Sequence, residues 1–371
     1  MIRLQYISLV LIFCSCYVGE EVAPDQEVWK YARPKEVGLS EEALLTINSR
    51  IQTNDFSEID GLIIIKNDQL IFENYFDQDD SQGFIQRLPT LSKRHSAFNL
   101  NSASLTFALA AIGVAEDKRL IDIEDRISDY LPEYEDVFLA DSEKENITIE
   151  HLLLHKSGLS WNVIQQFSPQ NDLNQMKASE DWVRYILEQP MEAPAGIRFN
   201  LNTASGVLLA KIVENASDQS FNDFIKENVI DPLTITSFDI ETDPSGNFNA
   251  GDGIRISLLD WTKLGYLFLQ EGLWRGRKIL DPNFIENATS VQTEVSGTQT
   301  LGYIWWQFGD SFSNAFAIPS NEIIFIPGEL GQHMYLIPSE NMIVSIFADN
   351  LSDNFYGYSQ NLFTEIINSF Q

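Results

Sequence analysis

Cysteine is almost absent. The chain of 371 residues holds two, Cys14 and Cys16, and none follows them. A body without cysteine has no disulfide framework and no thiolate metal site. Basic residues are the second scarcity: 24 Lys plus Arg stand against 54 Asp plus Glu, a formal charge of −30. Such a surface repels phosphate backbones and anionic lipid headgroups, so nucleic acid is excluded as a partner and solubility is favoured. Long apolar runs are missing too. The N-terminal one, from about Tyr6 to Phe13, is too short to cross a bilayer as a helix. The four histidines, His95, His151, His155 and His333, are scattered. His151 and His155 lie four apart on one predicted helix, a spacing that can chelate a metal, but no carboxylate completes a set. Neither a metal nor another cofactor is expected. No repeat or low-complexity tract is found.

What is present is a globular composition, 44% hydrophobic and 12% aromatic, enough for a sizeable core in one large domain or two intimate ones. The leader "MIRLQYISLVLIFCSCYVGEE" combines Arg3, a short apolar run and Ser15 directly before Cys16, and reads as an export signal. Residues 1–16 are therefore expected to form the signal, 17–28 a tether, and 29–371 the folded domain.

Along that domain, "GLSEEALLTINSRIQ" has Ser40 as a helix cap with Glu41 and Glu42 in the first turn. "GLIIIKNDQLIFENYF" gives two strand-like runs around Lys66, Asn67 and Asp68, a hairpin signal. Asp77 to Ala97 is polar and patternless, as for a long loop. Helical patterns dominate from Ser102 to about Gln270, and strands return in "GYIWWQFG", "EIIFIPGE", "QHMYLIP" and "MIVSIFADN" before a last helix. The expected class is α+β: an antiparallel sheet assembled from both termini (about 29–95 and 300–371) and flanked by helices. An all-helical region (about 96–299) is inserted, with a cleft between the two parts.

From Trp29 to Gln371 the chain resembles the class C β-lactamase and penicillin-binding-protein-like serine hydrolases. The resemblance rests on "ARPKEVGLSEEALLTI", "GLIIIKNDQLIFENYF", the Ser102 segment, "ITIEHLLLHKSGLSW", "PAGIRFNLN", "SFNDFIKENVIDPLTI", "DGIRISLLDWTKLGYLFLQEGLWRGRKIL" and "LGYIWW", matched in order. It implies the β-lactamase/DD-peptidase fold and three catalytic motifs. Separately, the leader's own arrangement, an apolar run with Ser15 directly before Cys16, resembles a bacterial lipoprotein signal, with Cys16 as the lipidated first residue. An ordinary cleaved signal peptide is the other reading.

The first motif, S-x-x-K, sets a Lys amine on the same helix face as the nucleophilic Ser, one turn on. Here it reads Ser102, Ala103, Ser104, Leu105, with Gly113, Asp117, Leu120 and Ile121 holding the register. No Lys in the chain has a Ser three residues before it. The second motif supplies a Tyr in a phrase such as F-N-Y-x-N, and the chain has Phe199, Asn200, Leu201, Asn202, Thr203. The third, H-x-G or K-T-G on a strand beside the nucleophile, aligns with Glu329, Leu330 and Gly331. The oxyanion hole that the resemblance implies would use the backbone N–H of Ser102 and that of Gln332. Two look-alikes are set aside: Lys156 to Gly158 follows a helix where a loop belongs, and Ser352 to Asn354 opens the last helix as a cap.

Leu105, Leu201 and Leu330 are expected to make the cleft apolar, and Ser102 fits a helix cap and family relic as well as a residual nucleophile. Two functions follow. One is a lipid-anchored exported pseudoenzyme that binds or scaffolds an unidentified small molecule or envelope component in the periplasm or at the outer membrane. The other is a slow serine esterase, amidase or peptidase in which Lys156 or Glu329 activates Ser102. The discriminator is a proton acceptor within hydrogen-bond reach of the Ser102 hydroxyl.

Overall fold

The computed structural model describes residues 28–76, 94–163, 168–309, 316–349 and 355–370. Cys16, the leader, most of the tether, most of the polar loop after Asp77 and Ser352 to Asn354 lie outside them.

A nine-stranded sheet organises the molecule. In spatial order its strands are Lys30–Tyr31, Gln69–Tyr75, Ile59–Lys66, Met342–Ala348, His333–Ile337, Ile324–Pro327, Trp306–Phe308, Gln299–Leu301 and Thr293–Ser296. All neighbours run antiparallel except the short first pair, which is parallel. The chain's two ends meet at the centre, where Ile59–Lys66 pairs with Met342–Ala348. Every residue of these two strands is buried, because helices cover both faces. Helices Glu41–Gln52 and Phe355–Ile367 pack on one side, joined by an Arg50–Glu365 ion pair. Helix Leu258–Leu269 covers the other.

Local chemistry explains these elements. Ser40 caps its helix by accepting from the Ala43 N–H at 3.2 Å. The hairpin turns on Asn67 and Asp68, both at positive φ (52° and 59°). Two such residues in succession give the twist that antiparallel strands need.

The inserted region is mostly helical. Its centre is helix Leu105–Asp117, apolar nearly all round and packed against helix Ser205–Ser217. The all-helical expectation needs refining, however: Phe98–Asn99, Ile254–Ile256 and Phe238–Ile240 form a three-stranded sheet, and Leu273–Trp274 pairs with Arg277–Lys278. Segments of two or three residues are too short to show an alternating pattern. The main sheet likewise resumes at Thr293 rather than near 300, through two short polar strands at its edge.

Candidate functional site

Strand Phe98–Asn99 leads into a 3-10 turn, Asn101–Ser104, which runs on into helix Leu105–Asp117. Ser102 is half-buried in that turn. The turn is clamped from two directions. On one side Asn101, at φ 50°, donates its Nδ2–H to the Glu329 carbonyl at 2.9 Å, and Gln332 Nε2 donates to the Asn99 carbonyl at 3.1 Å. Approach there is so close that a Cβ on Gly328 would sit 2.6 Å from the Leu100 carbonyl oxygen. On the other side the Leu100 N–H donates to the Ile254 carbonyl at 2.9 Å, and the Ile254 N–H donates to Ser104 Oγ at 3.1 Å.

Ser102 is not a helix cap. Ser104 occupies the N-cap position with helical dihedrals and its hydroxyl is taken by Ile254, because the 3-10 turn continues into the helix without an extended residue between them. Among the described residues no hydrogen bond reaches the Ser102 hydroxyl; the side-chain bonds around it belong to Asn101 and Ser104 in its turn and to Thr106 in the helix that follows. Neither Lys156 nor Glu329 is bonded to it. Leu105, one turn on, is 2% exposed and part of the core. Leu201 is half-buried against the same core, and Thr203 is fully buried. The backbone N–H groups of Ser102 and Gln332 have no acceptor among the described residues.

The third motif is displaced from its expected setting. Glu329, Leu330 and Gly331 lie in a 3-10 turn between strands Ile324–Pro327 and His333–Ile337, not on a strand. Leu330 adopts a left-handed conformation (φ 64°, ψ 2°) and Gly331 follows at φ 103°. Two successive positive-φ residues fold the segment back, so that it forms the turn joining two paired antiparallel strands. The cleft is also less apolar than three leucines suggest. The half-buried Glu329 carboxyl is pushed up to about 7 by burial and by Asp252, against an opposing pull from Lys177.

The histidines do not share a helix face. That helix is Ile149–Leu153, and His155 lies beyond its end at φ 54°. His151 Nδ1 accepts from the Thr148 N–H, whereas His155 Nδ1 bonds with the Asn202 carbonyl at 3.1 Å. No group of three or more His, Cys, Asp or Glu side chains able to hold a metal occurs among the described residues. Lys156, Ser157 and Gly158 lie in the loop after the helix, with Gly158 at φ 81°.

Three charged residues near the Ser102 turn escape sequence reasoning. Lys177 Nζ bonds Asp252 Oδ2 at 2.8 Å and lies 3.4 Å from Glu241 Oε2. Asp252 is buried and its carboxyl is raised, first by desolvation, with Lys177 opposing. The one local signal is its setting between two glycines, Gly251 and Gly253.

A family model described as Beta-lactamase matches residues 57–365. The chain belongs to the β-lactamase family. As a β-lactamase-family protein it is 31% identical over 144 residues to penicillin-binding protein 4* of Bacillus subtilis, covering 38% of this chain and 30% of that one. It is 25% identical over 176 residues to Protein flp of Staphylococcus aureus strain MRSA252, covering 47% of this chain and 33% of that one. The matches thus span about a third of those relatives' length. Solved structures share the fold. EstCE1, a hydrolase with promiscuous acyltransferase activity, superimposes with a TM-score of 0.68 at 16% identity over 89% of this chain and 98% of that one. A penicillin-binding protein from Bacillus halodurans gives 0.64 at 18% over 86% and 98%.

Proposed function

We propose that this β-lactamase-family protein keeps the serine hydrolase fold for binding and not for turnover, as an exported module lipid-anchored at the cell envelope through Cys16. One observation carries the reading: the Ser102 hydroxyl has no hydrogen-bond partner among the described residues, and the position one turn on is the buried Leu105. A hydroxyl without a base is a weak nucleophile, and each missing proton-transfer group costs about 10² to 10⁴ in rate. Leu201 supplies no proton either. The free N–H groups of Ser102 and Gln332 suit a bound carbonyl or carboxylate oxygen, but a hole alone binds without turning over.

A slow hydrolase is the second reading, and Glu329 favours it. A carboxyl held near 7, in the turn whose carbonyl Asn101 grips, has the proton affinity of a base at neutral pH.

Intact mass decides between them. The mature protein, recovered from membranes, is incubated with a fluorophosphonate and with a penicillin beside a Ser102→Ala control. The binding reading expects no adduct and a chain that begins at a lipidated Cys16. A stoichiometric adduct lost in Ser102→Ala would establish the hydrolase, and an unlipidated N-terminus would remove the anchor.

A further inference from the structure

Both flanks of the Ser102 turn carry carboxylates. Glu329 stands on the side gripped by Asn101; Asp252 stands two residues before Ile254, whose N–H bonds Ser104. Asp252 and Glu241 share a single ammonium, that of Lys177. Two carboxylates on one cation leave this wall anionic, and Glu329 faces the same Asp252.

Unpaired atoms lie in the same place. Asp252 Oδ1, Asn202 Oδ1 and Ser205 Oγ are each buried without a hydrogen-bond partner, in residues no more than 4% exposed. Their two segments touch through backbone: a Cβ on Gly251 would lie 1.9 Å from the Thr203 carbonyl oxygen, and one on Gly206 would lie 2.4 Å from Gly251 Cα. Carboxylate and amide oxygens only accept, so whatever satisfies two of these three atoms must donate. Leaving such groups unmet costs about 1–3 kcal/mol each, which makes three together an indication of an occupant.

We propose that the acidic, under-bonded cluster beside the Ser102 turn selects a ligand through a positively charged primary amine. An ammonium brings three N–H donors and the charge that Lys177 leaves wanting; water brings donors but no charge. The ligand is thus of opposite sign to the carboxylate-bearing compounds that a cationic third motif would hold. The proposal rests on the reading of this cleft as a binding site and names the chemistry it recognises.

Calorimetric titration with 1-aminohexane, hexanoate and 1-hexanol tests it on the full mature chain. Saturable binding is expected for the amine alone, weakened about tenfold or more in Glu329→Gln, whose thermal melt first shows that it folds. Equal binding of hexanoate or hexanol, unchanged binding in Glu329→Gln, or no saturable binding at all would overturn it. A second measurement needs no variant. Lowering the pH from 8 to 5.5 on the native protein should weaken amine binding about tenfold as Glu329 takes up a proton, with Asp252, Lys177 and Glu241 the charged groups around it; a flat profile overturns the proposal. The adduct experiment reads Ser102 chemistry alone, so the two ideas fail separately. Amine binding with an adduct removes the turnover-free reading, whereas neither adduct nor amine binding removes only the ligand class.

Discussion

Glu329 is the residue on which most of this site's behaviour turns. Burial and the neighbouring Asp252 raise its carboxyl from 4.5 to about 7, so in that window the folded chain holds a proton that the unfolded chain has released. Stability must then fall as pH rises from about 4.5 to about 7, by on the order of 2 kcal/mol. His155 and His333 act with the opposite slope. Both are fully buried and lowered to about 4, chiefly by desolvation, so their contribution is present above the unfolded value of 6.5 and is lost as pH falls toward 4. Glu329→Gln separates the two trends. Urea unfolding at pH 5 and at pH 7.5 should show the variant gaining about 2 kcal/mol on the native protein at the higher pH, and equal pH dependence in both would deny Glu329 its raised affinity. Sequence alone led to Ser102, Leu105 and Leu201, because helix spacing and segment order locate them. It did not lead to Asp252, Lys177 or Glu241: Glu241 and Asp252 lie near each other on adjoining segments, but Lys177 comes from a distant part of the chain, and the three share no spacing.

Among the elements, the tightest approaches are made by glycines, and they differ in what they face. Gly251 lies against the Thr203 carbonyl, a backbone atom fixed by the start of helix Ser205–Ser217. Gly265, in helix Leu258–Leu269, lies against Met334, where an added Cβ would meet Sδ at 2.1 Å. Backbone cannot step aside, whereas a thioether with three rotatable bonds can repack. Gly251→Ala is therefore expected to cost about 3 kcal/mol or more and Gly265→Ala about 1, read from urea midpoints at constant slope. Comparable losses in both would mean that Met334 is as fixed as the backbone. The same distinction between rigid and local determinants explains what was legible. The Ser40 cap and the Asn67–Asp68 turn are written in neighbouring residues and were readable. The strands Phe98–Asn99 and Ile254–Ile256 were not, since two or three residues carry no periodicity and their pairing is set by the fold around them. Glu329 to Gly331 reads as strand because its flanks do; the reversal at Leu330 is a backbone state that no side-chain pattern announces.

At the scale of the whole molecule, a sheet closed by its two termini holds an inserted helical region, and the start of the insertion, at Phe98–Asn101, is clamped to the Gly328–Gln332 turn that joins two strands of the sheet. That architecture was legible because the strand-rich segments sit at both ends of the chain. Its electrostatics are lopsided. Ion pairs tie the first helix to the last through Arg50–Glu365, and the hairpin to the Pro338–Glu340 turn through Lys66–Glu340 at 2.6 Å. Yet 54 acidic side chains face only 24 basic ones, so repulsion between like charges outnumbers attraction over most of the surface. Exposed pairs contribute about 1 kcal/mol or less, and both terms are screened within a Debye length of about 8–10 Å at ordinary ionic strength. Because the repulsive sum is the larger, added salt should stabilise the fold. Raising NaCl from 10 mM to 500 mM at pH 7.5 should raise Tm by about 3 °C or more, with urea used for any isothermal check because guanidinium chloride would itself screen the charges. A Tm that fell instead would show that the few ion pairs outweigh the excess of acid, and that the −30 charge is spread too thinly to strain the folded state.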